Sequence, residues 1–176
     1  MSTVLLQNTF SERLCVDAPA NDIPDSHNVY GWLLGNWELD VLHYLNDVRQ
    51  LGLKGHAHFM WVLEGRAIQD LWILPRNVNV AEPHKTVSSI GTTLRVWEPS
   101  SQTWSVTWIN PTTGARDELR GRRIDDDIVQ LGHHRDGTPI RWMFTEITSN
   151  SFRWTGEAMN DDGSWRLEAE FVARRV

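Results

Sequence analysis

Gln102-Thr-Trp-Ser-Val-Thr-Trp-Ile-Asn-Pro-Thr-Thr-Gly-Ala-Arg-Asp-Glu-Leu-Arg-Gly-Arg-Arg-Ile124 decides the fold. Trp104, Val106 and Trp108 stand two apart, separated by Ser105 and Thr107, so on a strand they share one face. Ala115, Asp117, Leu119 and Gly121 repeat that period, backed by an outer row of Arg116, Glu118, Arg120 and Arg122. Between the two rows, Asn110-Pro-Thr-Thr-Gly114 supplies turn residues, and so short a link joins only antiparallel neighbours.

The same alternation runs outward in both directions. It predicts strands near 36–45, 52–64, 66–74, 86–98, 102–110, 114–124, 127–133, 138–148, 151–159 and 163–174. Trp142 and Phe144, then Phe152, Trp154, Gly156 and Ala158, then Trp165, Leu167, Ala169 and Phe171 extend the inward rows. Strands linked this way form a meander, and about ten of them close on themselves because closure removes exposed edges. The expected fold is therefore all-β, an antiparallel up-and-down β-barrel. Asp25–Gly35 predicts a short helix across one end, capped by Asp25 or Ser26 and stopped by Gly35. Residues 1–27 read as an N-terminal arm interrupted by Pro19 and Pro24, and residues 28–176 as a single barrel domain.

Composition narrows the function classes. A net charge of −6 argues against a nucleic-acid partner, and the cations are Arg except for Lys54 and Lys85. The single cysteine, Cys15, has no internal disulfide partner. The first residues lack the basic segment and apolar run of a secretory signal, and no window is long and apolar enough for a bilayer. A cytoplasmic protein with no membrane partner is expected. Ten tryptophans exceed what closing a small barrel requires, so some are expected to wall a ligand cavity. Trp61, Trp108, Trp142 and Trp154 are the candidates, with Phe171.

The second and third strands are apolar on both faces. His56, His58, Met60 and Val62 oppose Ala57, Phe59, Trp61 and Leu63, so both sides need cover. The N-terminal helix or a second subunit must supply it, which predicts a homodimer through this sheet.

At Leu33-Leu-Gly-Asn-Trp-Glu-Leu39 the chain resembles the lipocalins and, more broadly, the calycins, whose first strand opens with Gly-x-Trp. In that family the indole closes the barrel base beneath an Arg of the final strand, a role the resemblance assigns to Arg174 or Arg175. Phe59-Met-Trp-Val-Leu-Glu-Gly-Arg-Ala-Ile-Gln-Asp-Leu-Trp72 is also similar to bacterial lipocalin-like domains of unknown function. The resemblance implies a cup for a small, mostly apolar or aromatic molecule, with no fixed cofactor.

Several polar residues are candidates for that cup. His56 and His58 share a face with Glu64, and His-x-His followed by Glu resembles the first cupin motif. One reading is a metal-dependent enzyme; the other is ordinary strand histidines at a rim or subunit contact. His56 and Met60 are otherwise ligand-contact candidates. A haem carrier is a further variant, because one His-lined calycin group holds haem. Glu146 continues the row of Trp142 and Phe144, where desolvation would raise its pKa; at a hydrated mouth it would instead pair with an Arg. With His58 it forms the acid–base pair of a cofactor-free isomerase, cyclase, lyase or hydratase. Of Gln69 and Asp70, one must face inward. Arg95 inside would grip a carboxylate as in fatty-acid carriers of this general architecture; outside, it would balance neighbouring acids.

Overall fold

The computed structural model describes residues 9–76 and 87–176. Residues 1–8 of the expected arm and residue 86 of the expected fourth strand lie outside them. Among the described residues, eleven strands form one antiparallel sheet: β1 (Cys15–Val16), β2 (Gly35–Tyr44), β3 (Lys54–Val62), β4 (Ala67–Arg76), β5 (Val87–Glu98) and β6 (Thr103–Asn110), then β7 (Ala115–Ile124), β8 (Asp127–His133), β9 (Pro139–Thr145), β10 (Ser151–Met159) and β11 (Trp165–Arg175). Strands β2–β11 are the ten expected, each bounded within three residues of its expected ends. Each pairs with its neighbour in sequence, and β11 returns to β2, closing the barrel. The extra strand, β1, takes the side of β3 that β2 has left, pairing with Trp61 and Val62 beyond the last β2 partner, Phe59.

Two bulges shape the final strands. Opposite Gly156–Glu157, the pairing jumps from Ala169 to Leu167, leaving Glu168 as the extra residue. A second irregularity lies between Glu170 and Phe171 on the β2 side. A bulge reverses the alternation beyond it. Phe171 is therefore buried, but Trp165 and Leu167, expected inside, share the outer face with their partners Met159 and Glu157. The Arg141 guanidinium covers Trp165 from outside at 4.6 Å.

The segment before β2 plugs one end. Two 3-10 turns, Asp25–His27 and Gly31–Leu33, replace the single helix expected there. Neither Asp25 nor Ser26 caps, because Pro24 holds the N-cap position, and the Asn28 side chain accepts the Gly31 N–H at 3.0 Å. That side-chain bond starts a new turn instead of continuing the first. The expected arm is partly structured: residues 9–14 are helical, and Ile23 joins the core.

At this closed end Trp37 is fully buried and its indole N–H donates to the Leu33 carbonyl at 2.7 Å. Arg175 is the covering cation, its guanidinium 4.1 Å from the Trp37 ring, while Nη2 and Nε donate to the Trp32 and Ser149 carbonyls. Arg174 points outward and pairs with Asp40. Trp32 and Phe152 pack edge-on against Trp37, Phe144 packs edge-on against Trp32, and Tyr30 edge-on against Phe144, filling this half of the tube.

On the outside, Met60, Leu71, Ile90 and Ile109 are exposed across β3–β6. Its β3–β4 part, with Met60 and Leu71, is the face for which the sequence suggests a second subunit. Val62, by contrast, is buried at 2% exposure, where β1 pairs with it. Among the described residues no helix is long and apolar enough to cross a membrane.

Candidate functional site: an indole-walled cavity at the open end

Towards the other end the inner wall recedes. Trp72, Trp108, Trp142, Trp154 and Phe171 surround a cavity of about 260 Å³, with Tyr44 and Leu45 at its edge. The rings form one connected wall. Trp154 stacks on Phe171 at 5.2 Å and meets Trp142 at 5.6 Å, and Trp142 meets Trp108 edge-on at 6.3 Å. Two glycines let the indoles lie back against the sheet. A Cβ on Gly91 would stand 2.1 Å from the Trp108 ring, and one on Gly156 would stand 2.7 Å from the Trp154 ring. Any side chain there would push an indole into the cavity.

The floor is polar and wholly buried. Arg95, 1% exposed, points inward from β5 and pairs with Asp70 of β4, Nη1 to Oδ2 at 2.5 Å. The other Asp70 oxygen accepts the Thr93 N–H at 2.6 Å, at a point where the β4–β5 pairing breaks off after Gln69 and resumes at Trp72. The carboxylate thus substitutes for a missing ladder bond and a missing counter-ion together. Tyr30, Phe59 and Phe144 lie within 6 Å of the guanidinium on the closed side. Burial pushes the Tyr30 hydroxyl pKa well up despite the nearby Arg95, and this neutral hydroxyl donates to Gln130 at 3.1 Å.

A second polar group spans the mouth. His134 follows β8, and its Nδ1 lies 2.8 Å from Asp117 of β7 while Nε2 lies 3.1 Å from Glu168, the bulge residue of β11. Hydrogen bonds that the ring donates to Asp117 and then Glu168 raise the His134 pKa to about 10, so the ring is an imidazolium at neutral pH. Glu168 is lowered by the same contact and also accepts Arg166 Nη2 at 2.9 Å. Because both ring nitrogens are engaged, His134 is a tie between strands and not a free base.

The linkage has a definite sign. A histidine raised from 6.5 to about 10 by folding contributes stability that is complete below about 6.5 and lost as pH rises to about 10. Glu168, lowered from 4.5, contributes above that value and loses its share as pH falls through its folded pKa. Urea denaturation of the wild type minus His134→Gln should therefore show a difference that shrinks between about pH 6.5 and 10. A difference that stays flat across that range would mean the ion pairs are not formed in solution.

The structure brings Arg95, Trp108, Trp142, Trp154 and Phe171 to one cavity and sets Asp70 behind Arg95. Other sequence candidates lie elsewhere. Ala57, Phe59 and Trp61 take the inward face of β3, so strict alternation turns His56, His58 and Met60 outward. His58 there bonds Asn36 at 2.8 Å, and Met60 is 45% exposed. Glu64 sits in the β3–β4 turn, and no group of three metal-ligating side chains occurs among the described residues. Gln69 bonds Thr92 at 3.1 Å on the outer face, paired with Met60. Trp61 is inside but at the closed end, 6.3 Å from Trp104. Glu146 lies past the end of β9, also at the closed end, with left-handed backbone and an ion pair to Arg153 at 2.9 Å. A turn begins where the sequence row continued, so Glu146 never faces the cavity.

The period of its strand puts Asp117 in an inward row, and an inward acid needs a partner, which is the signal the sequence carries for the His134 tie. Glu168 carried no such signal, because only the bulge turns it inward. No protein-family model and no curated protein matches this chain.

Proposed function

We propose that this barrel binds a small, flat, mostly apolar molecule, held against the indole wall without a fixed cofactor. The observation that carries this is the division of the tube. One half is packed solid around Trp37, whereas the other leaves about 260 Å³ open between five aromatic side chains. That volume is near the lower end for small-molecule sites, which suits a ligand of one or two fused rings. Covering such a ligand removes about 200 Å² of its surface from water, about 5 kcal/mol gross at 25 cal/mol per Å². Burial of the facing wall adds to this and association costs subtract, giving dissociation constants of roughly 1–100 μM.

Four indoles line the cavity, so occupancy is read directly from their fluorescence. Titration with naphthalene-class hydrocarbons should quench or shift the emission saturably. Gly91→Val should weaken binding at least tenfold by forcing Trp108 forward, at an overpacking cost of about 1–3 kcal/mol in stability. If none of a panel of one- to three-ring aromatics perturbs the emission, the proposal fails.

The acid–base alternative finds less support here. His58 and Glu146 are remote from the cavity, and the His134 ring at its mouth is doubly paired.

A further inference from the structure

We infer that the cavity selects an uncharged aromatic ligand bearing a hydrogen-bond acceptor, which Arg95 meets with an N–H that Asp70 leaves free. This rests on the ligand-binding reading above and names the chemistry of the ligand. In a carboxylate-binding barrel an inward arginine keeps its fork open for the ligand's two oxygens. Here the chain's own Asp70 has taken that position. It is buried at 1% exposure, sits 2.5 Å from Nη1, and is held by the Thr93 N–H, so swinging away would leave both the guanidinium and that backbone donor buried without a partner.

A carboxylate entering this floor would face Asp70 across a shared guanidinium in a low-dielectric site, where like charges repel strongly. The mouth does not offset that. Its cation, His134, is already shared between Asp117 and Glu168, so the cavity carries no cation in excess of its acids. An anion is therefore excluded by charge and not by shape.

Donor capacity nevertheless remains. Among the described residues the buried side-chain atoms without a hydrogen-bond partner are His43 Nε2, Arg95 Nε, Gln130 Nε2 and Thr155 Oγ1, and of these residues only Arg95 lines the cavity. Of the other buried polar side chains in the wall, Asn110 is spent on Ser89 and on the backbone N–H groups of Thr112 and Thr113, while the Thr93 hydroxyl is an uncharged group beside Arg95. Arg95 Nε is itself closed off by its neighbours, and a small turn of the guanidinium presents this unpaired N–H to the aromatic-walled space, where a carbonyl or ring-nitrogen acceptor on a neutral flat ligand satisfies it.

Three isosteric probes separate the possibilities: 2-ethylnaphthalene, 2-acetylnaphthalene and 2-naphthoate, titrated by tryptophan fluorescence and calorimetry. The ketone should bind about tenfold or more tightly than the hydrocarbon, because its acceptor meets a charged donor. Naphthoate should bind at least about tenfold more weakly than the ketone. Asp70→Asn should reverse the second preference by releasing Arg95 for the anion. Should that variant fail to fold, the double variant Arg95→Met/Asp70→Leu keeps the test open. It removes both charges, and should retain the hydrocarbon's affinity while abolishing the ketone's advantage. Equal affinity for ketone and hydrocarbon in the wild type, or naphthoate as the tightest probe, overturns the inference while leaving an apolar cavity intact. Failure of all three probes overturns the cavity reading itself.

Discussion

Arg95→Met should destabilise the protein by about 3–5 kcal/mol, because it leaves the Asp70 carboxylate buried with no counter-ion. Methionine keeps most of the side-chain volume, so the loss reports charge and not a void. For a domain whose total stability lies in the usual range of about 5–15 kcal/mol, this is a large share. Urea unfolding followed by tryptophan emission measures it. Adding Asp70→Leu should recover most of the loss, since an apolar pair of similar volume replaces a buried ion pair at little net cost. A loss in the single variant below about 1 kcal/mol would show that Asp70 finds water or another donor, and the rigid floor described above would not hold.

Trp37→Ala should cost a comparable 3–5 kcal/mol by a different route. The indole is fully buried, packs against Trp32 and Phe152, donates to the Leu33 carbonyl and carries Arg175 on its face. Truncation leaves a hole the surrounding strands cannot collapse into, strips a backbone carbonyl of its donor, and removes the surface on which Arg175 rests. Trp37→Phe should lose less, since ring volume is partly kept. Probe binding by the folded fraction of either variant should change little, because the cavity lies at the opposite end of the barrel. If Trp37→Ala unfolds at the wild-type midpoint, the closed end is not the stabilising half of the molecule.

These two sites differ in how visible they were beforehand. Trp37 announces itself through Gly35-Asn-Trp37 at the head of a strand, and the observed stack of Arg175 on its ring needs only that the first and last strands meet. Arg95 and Asp70 are separately visible as polar residues in strands, but which face each occupies depends on neighbours. Trp72 and Phe59 pull their rows inward, and Asp70, paired opposite Phe59, goes with them. His58 and Glu146 were misplaced for related reasons. Two-faced apolar β3 offers no parity signal until the barrel chooses Trp61, and a row of alternating residues does not show where its strand stops.

Alternation of large apolar with polar side chains, divided by turn residues, was sufficient to determine ten antiparallel strands, because period and link length are local properties of the chain. Closure followed from the same count, since ten hairpin-linked strands remove their edges by joining ends, whereas the two bulges, the Asp70–Arg95 floor and the His134 tie were decided only by tertiary structure. Each depends on strands far apart in sequence meeting at one register, and a single extra residue, Glu168, is enough to exchange the inner and outer faces of a strand.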